Sequence, residues 1–165
     1  MLYHAEFGAL CAALEGAGAF LVVEAKGRVN PMTIGWAQAG FVWGLPVMTV
    51  LVRASRYTHS LMGAAARFSV CVPAPGEMRK ELAYCGSKSG RDYDKVRACG
   101  LELRDGSAPG VKLIGGCALA YECEKTGSAE LRAEDLPGAV RARYYPEGDL
   151  HTLFFGRIIK AENFR

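Results

Sequence analysis

Within residues 19–72 the chain sets out short apolar runs of β type, at residues 19–25, 32–38, 47–52 and 68–72, with a helix-like stretch only at 57–66. Gly and Pro punctuate them, at Lys26-Gly27-Arg28, Gly44-Leu45-Pro46 and Pro73-Ala74-Pro75. Such residues close strands because they fix or free φ where the chain must turn. A parallel sheet needs a long crossover, usually a helix, between successive strands, and no regular alternation of that kind is present. A doubly wound fold is therefore excluded. The pattern predicts a mainly β protein, an antiparallel split β-barrel with short helical insertions.

The remaining segments fit this frame. Residues 4–15 predict a short amphipathic helix with Phe7, Leu10, Cys11 and Leu14 on one face. Residues 77–84 and 93–98 read as short helices. Residues 111–124 read as one long strand, or two with a bend at Gly115-Gly116, and 150–161 as a closing strand. No repeat or linker divides the chain, so a single domain over 1–165 is expected.

Composition narrows the function. Half of the residues are hydrophobic and 22% are charged, which supplies a core and excludes a disordered chain. The net charge of +3 suits a phosphorylated small molecule better than nucleic acid. The basic residues at 53, 56, 88, 91, 95 and 97 are interrupted by acids at 92 and 94. The long apolar runs fall short of the ~20 residues of a membrane span. Residues 1–19 carry Glu6 and Glu15 and lack the basic start of a secretory signal, so a cytoplasmic protein is expected. The six cysteines include no Cys-x-x-Cys pair and have no ligand-like spacing to His4, His59 or His151; free, mostly buried thiols are expected and no metal site.

Two stretches carry chemistry. Asn30-Pro31-Met32-Thr33-Ile34-Gly35-Trp36 reads as a turn running into a strand, and Arg53-Ala54-Ser55-Arg56-Tyr57-Thr58-His59 as a link from strand to helix. A helix N-terminus presents unpaired N–H groups that favour phosphate, and arginine adds a two-pronged donor. Ser55 or Thr58 caps that helix or binds the anion. The 32–36 strand offers backbone groups at Thr33 and Gly35, and the Thr33 hydroxyl, to the polar edge of a flat ring. It serves equally as a core strand with Ile34 and Trp36 packed inside. Together the stretches suggest a flavin mononucleotide (FMN) site. The loop Cys85-Gly86-Ser87-Lys88-Ser89-Gly90-Arg91-Asp92 is not a phosphate loop of Walker type, because its glycines and basic residues have the wrong spacing. Gly16-Ala17-Gly18-Ala19-Phe20-Leu21 likewise lacks the third glycine of a dinucleotide fingerprint.

The strings Asn-x-Met-Thr-Ile-Gly-Trp at 30–36, Arg-x-Ser-Arg-Tyr-Thr at 53–58, Ser89-Gly90-Arg91-Asp92 with Asp94-Lys95, and Gly148-Asp149-Leu150-His151-Thr152-Leu153-Phe154-Phe155-Gly156 stand in one order over most of the chain. In this the chain resembles the flavin reductase-like family. The resemblance implies an FMN-binding split barrel, a homodimer, and activity as an NAD(P)H-dependent flavin oxidoreductase that passes electrons to free flavin, oxygen, iron or a protein. A flavoredoxin-like electron carrier without NAD(P)H turnover is the alternative. The implied cofactor-binding residues are Asn30, Met32, Thr33, Ile34 and Gly35; Arg53, Ser55, Arg56, Tyr57 and Thr58; and Cys85, Gly86, Ser89, Gly90, Asp92 and Lys95. His151 is the implied catalytic residue, positioning a nicotinamide or donating a proton. The 85–92 loop is expected to fold over the flavin or join it across the dimer, with Cys85 either a packing residue or a thiol near the ring.

Overall fold

The computed structural model describes residues 3–164; residues 1, 2 and 165, the ends of the expected domain, lie outside it. Its elements run α1 (Phe7–Glu15), β1 (Ala19–Ala25), β2 (Arg28–Ile34), β3 (Ala37–Val42), β4 (Leu45–Arg53), α2 (Tyr57–Ala64), β5 (Arg67–Val72), α3 (Arg79–Ser87), α4 (Lys95–Ala98), β6 (Leu103–Asp105), β7 (Lys112–Ile114), β8 (Leu119–Glu130), a 3-10 turn (Ala133–Asp135), α5 (Gly138–Tyr144) and β9 (His151–Asn163). The protein is mainly β.

One seven-stranded sheet has the order β2-β1-β5-β8-β9-β4-β3, and the pairings within it are antiparallel. Its two outer strands, β2 and β3, are consecutive in the chain, separated only by Gly35 and Trp36. The sheet must therefore curl until its ends meet. They meet without forming a ladder; the Leu51 N–H donating to the Trp36 carbonyl at 3.3 Å carries the β3–β4 pairing one residue further, up to the point where β2 ends. This is a split barrel. Register shifts between Glu122 and Cys123 and between Lys125 and Gly127 bend the long β8–β9 ribbon around it.

Strand β1 is apolar throughout because both of its faces are covered. Ala19, Leu21 and Val23 point into the barrel with Met48, Val50, Val70, Tyr121 and Phe154. Phe20 and Val22 point outward, against Leu82 from α3, Leu113 and Ile114 from the small β6–β7 sheet, and Leu101 and Val111 from the chain beside it. Successive strand residues alternate in direction, so two cores share one strand. Full burial of each large side chain stabilises by about 1.5–3 kcal/mol.

The structure corrects several boundaries. Asn30-Pro31 is not a turn: both residues lie inside β2, paired with Val23 and Val22, and the turn falls at Lys26-Gly27. Proline is tolerated there because β2 is an edge strand. The 32–38 strand breaks at Gly35-Trp36, and Trp36 is 38% exposed rather than in the core. Pro46 sits in β4 opposite Phe41, and the hairpin turns at Trp43-Gly44, both at positive φ. Gly115-Gly116 separates β7 from β8, placing them in different sheets. Helices α1 to α4 begin or end two to three residues away from the expected limits in places, and Cys11 is exposed rather than on the buried face of α1. Cysteines 71, 85, 117 and 123 are buried and free, and Cys99 is half-buried.

Candidate functional site

Where the sheet fails to close, β2, the start of α2, the end of α3 and the start of β9 converge on a polar groove. One part is a cavity of about 190 Å³ lined by Thr33, Gly35, Trp36, Arg53, His151 and others. The next is a cavity of about 170 Å³ lined by Tyr57, Thr58, Ser89, Gly90, Arg91, Lys95 and others. Met32 and Arg56 line both. The groove thus runs from one part to the other along these two side chains.

The second cavity is cationic. Arg56, Lys88, Arg91 and Lys95 line it, and no carboxylate does. Lys95 is 4% exposed, and its Nζ donates to the Cys85 carbonyl at 3.1 Å. Burial lowers its pKa to about 8, with Arg56 adding to the effect. No side chain caps α2, so the first N–H groups of this helix remain available to an anion. Buried Thr58 accepts from Asn30 Nδ2 at 2.8 Å, which leaves the Thr58 hydroxyl proton for an acceptor in the cavity. Asn30 therefore acts through Thr58. Gly90 is obligatory beside it: a Cβ there would run into Asn30 Oδ1 and stand 2.8 Å from Tyr57 Cδ1.

Ser55 is occupied elsewhere. Its N–H and hydroxyl both donate to the Asp149 carboxylate, at 3.1 and 2.6 Å. Burial acts to raise the Asp149 pKa, but these two bonds and nearby Arg53 hold it below the usual carboxylate range. Arg53 donates to the carbonyls of Asp149 and Tyr144, at 2.7 and 2.9 Å, and lies over the Tyr145 ring. Ser55 and Arg53 thus clamp the β4–α2 link to the chain leading into β9. Arg56 reaches the Gly86 carbonyl at 3.0 Å, and Arg91 the Ser55 carbonyl at 3.1 Å.

The first cavity is aromatic and neutral on one side. His151 is 9% exposed, opposite Arg53 in the β4–β9 register, with the Trp36 ring 4.8 Å away between centroids. Burial, then Arg53, lowers its pKa to about 4, so the imidazole is uncharged at neutral pH. The Thr33 hydroxyl donates to the Leu82 carbonyl at 2.6 Å, so that proton is not offered to the groove.

Thus Met32, Thr33, Ile34, Gly35, Arg53, Ser55, Arg56, Tyr57, Thr58, Ser89, Gly90, Lys95 and His151 line the groove. Asn30 and Gly86 stand behind it. Cys85 and Asp92 are not brought in: the Cys85 side chain is buried in the outer core, where burial and Cys99 push its thiol up to about 12, and Asp92 is exposed. Sequence reading missed the roles of Asp149, Tyr145 and Trp36. Asp149 was signalled by its place in the 148–156 string, whereas Tyr145 follows α5, for which no periodicity gave a signal. A larger groove of about 300 Å³ between α1 and residues 72–79 is lined mainly by Ala, Gly and Pro and contains none of these residues.

Comparison with known proteins matches residues 16–164 to the flavin reductase like domain. A flavoredoxin from Methanosarcina acetivorans is 27% identical, with a TM-score of 0.71 over 88% of this chain and 67% of that one. An FMN-binding protein from Thermus thermophilus, with bound p-hydroxybenzaldehyde, is 28% identical, with a TM-score of 0.70 over 90% and 71%. An uncharacterized protein of Archaeoglobus fulgidus is 29% identical over 140 residues, covering 85% of this chain and 68% of that one.

Proposed function

Because the chain belongs to the flavin reductase like domain family, we propose that it binds FMN in the groove between Gly35 and Lys95 and works as an NAD(P)H-dependent flavin oxidoreductase. The observation that carries this reading is the joining, through Met32 and Arg56, of a cavity walled on one side by Trp36 and uncharged His151 to a cationic one. FMN has the matching form, a planar ring at one end and a phosphate at the other. Arg56, Arg91, Lys95 and Thr58 hold the phosphate. The backbone of residues 33–36, with Trp36 and His151, bounds the ring. When bound, the flavin supplies hydride acceptance and electron transfer, and the protein supplies binding, orientation and the surrounding potential. Neutral His151 offers a hydrogen bond without placing a charge beside the ring. The acceptor is free flavin, oxygen, iron or a protein.

A flavoredoxin-like electron carrier is the second reading, favoured by the likeness to the Methanosarcina protein and by the lack of a dinucleotide fingerprint in the sequence. Anaerobic mixing of the FMN-loaded protein with NADH and with NADPH separates the two. Bleaching of the flavin absorbance within seconds supports the oxidoreductase; persistence of the oxidised spectrum with both nucleotides, followed by bleaching with dithionite, supports the carrier. We further propose that residues 1–165 act as one flavin-binding unit in a cytoplasmic homodimer.

A further inference from the structure

Tyr145 lies at the C-terminal end of α5, and its hydroxyl is 2.7 Å from Nδ1 of His151. Both side chains are more than nine-tenths buried. The ring stack fixes them further: the Tyr145 and His151 centroids are 5.5 Å apart, Trp36 lies against both, and the Arg53 guanidinium lies over the Tyr145 ring.

From this geometry we propose that Tyr145 is a positioning residue: its O–H donates to His151 Nδ1, fixing the imidazole as the Nε2–H tautomer and making that N–H a permanent donor into the ring cavity. A phenol has one proton and an imidazole two distinct nitrogens, so the direction of this bond decides what the groove receives. If Nδ1 donated instead, the phenolic proton would be buried with no acceptor among the described residues, because His151 is the hydrogen-bond partner of Tyr145 Oη there. Burial raises the Tyr145 pKa, with Arg53 opposing, so the phenol keeps its proton. Burial together with Arg53 keeps His151 neutral, and Asp149 opposes them incompletely. The imidazole then has one proton, on the nitrogen away from Tyr145. Among the described residues the hydrogen bond of His151 is made at Nδ1, and His151 lines the cavity that includes Gly35 and Trp36. The inference about the flavin rests on the reading of that cavity as the ring site; the tautomer does not.

The test is ¹⁵N NMR of the imidazole in the full-length protein at neutral pH, for the wild type, Tyr145→Phe and His151→Gln. The wild type is expected to show Nε2 protonated and Nδ1 bare, as one tautomer. Tyr145→Phe is expected to show a mixture of tautomers. Protonated Nδ1 in the wild type, or an unchanged tautomer in Tyr145→Phe, overturns the proposal; the wild-type spectrum alone decides should the variant not fold. Reduction potentials of bound FMN form the second arm. Tyr145→Phe and His151→Gln are expected to shift the potential in the same direction, with no further shift in the double variant. A proper tautomer with no FMN binding at all overturns the ring-site reading and leaves Tyr145 as the residue that sets the tautomer.

Discussion

Lys95 shows how one side chain sets both a cost and a use. Its Nζ is buried against the Cys85 carbonyl at the base of the cationic cavity. Its pKa near 8, below the usual lysine value, means that the free protein pays to keep it charged at neutral pH. The sign follows: the penalty on folding is present below pH 8 and is relieved as pH rises from 8 through the unfolded value. A bound phosphate reverses this, because it favours the charged amine. FMN binding is therefore expected to take up a proton above pH 8, and its Kd to rise by up to about tenfold per pH unit there. Riboflavin, which lacks the phosphate, is expected to show no such rise. Equal pH profiles for both in fluorescence titrations would remove Lys95 from the phosphate site. Asp149 works in the opposite sense. Its lowered pKa stabilises the fold at pH values above the unfolded carboxylate range and loses this effect as pH falls through the folded value. Asp149→Asn is expected to cost about 1 kcal/mol in urea denaturation at pH 7, for two exposed bonds, and progressively less as pH falls through the folded carboxyl's lowered value.

Among the elements, the loop between α3 and α4 depends on glycine for its place against β2. A Cβ at Gly90 would collide with Asn30 and Tyr57, the pair that orients Thr58 and borders the cavity. Gly90→Ala is expected to weaken FMN binding at least about tenfold, while the cost in stability stays within the ~1–3 kcal/mol of local overpacking. Unchanged affinity would show that the loop does not shape the site. The strands were readable because their apolar residues are contiguous and their ends carry Gly or Pro. The helix start at Tyr57 was readable too. What escaped was tertiary. Pro31 looked like a turn because its tolerance depends on β2 being an edge, which only the sheet order reveals. Ser55 looked like a phosphate ligand because Asp149, 94 residues away, was not visible beside it. Helix α5, short and without a buried residue, gave no periodicity to read, although it precedes Tyr145.

For the protein as a whole, the curled sheet leaves apolar surface on one side. Phe41 and Trp43 at the β3–β4 hairpin tip are 67% and 66% exposed, β3 is an edge strand, and the β8 residues 128–130 are exposed. Exposed edges and clustered aromatics call for cover. The proposed homodimer would bury this face. Phe41→Ser with Trp43→Ser is expected to yield a monomer by light scattering, against a dimer for the wild type. A monomeric wild type at micromolar concentration would rule out the dimer.

The groove beside Gly35, Arg56 and Lys95 as the FMN site is tested most directly by a crystal structure of the protein grown with FMN. The expected result places the phosphate within hydrogen-bond reach of Arg56 and Lys95, with the ring against residues 33–36 and His151. Density for FMN in the alanine-lined groove between α1 and residues 72–79, or none in the cationic cavity at saturating ligand, would contradict it.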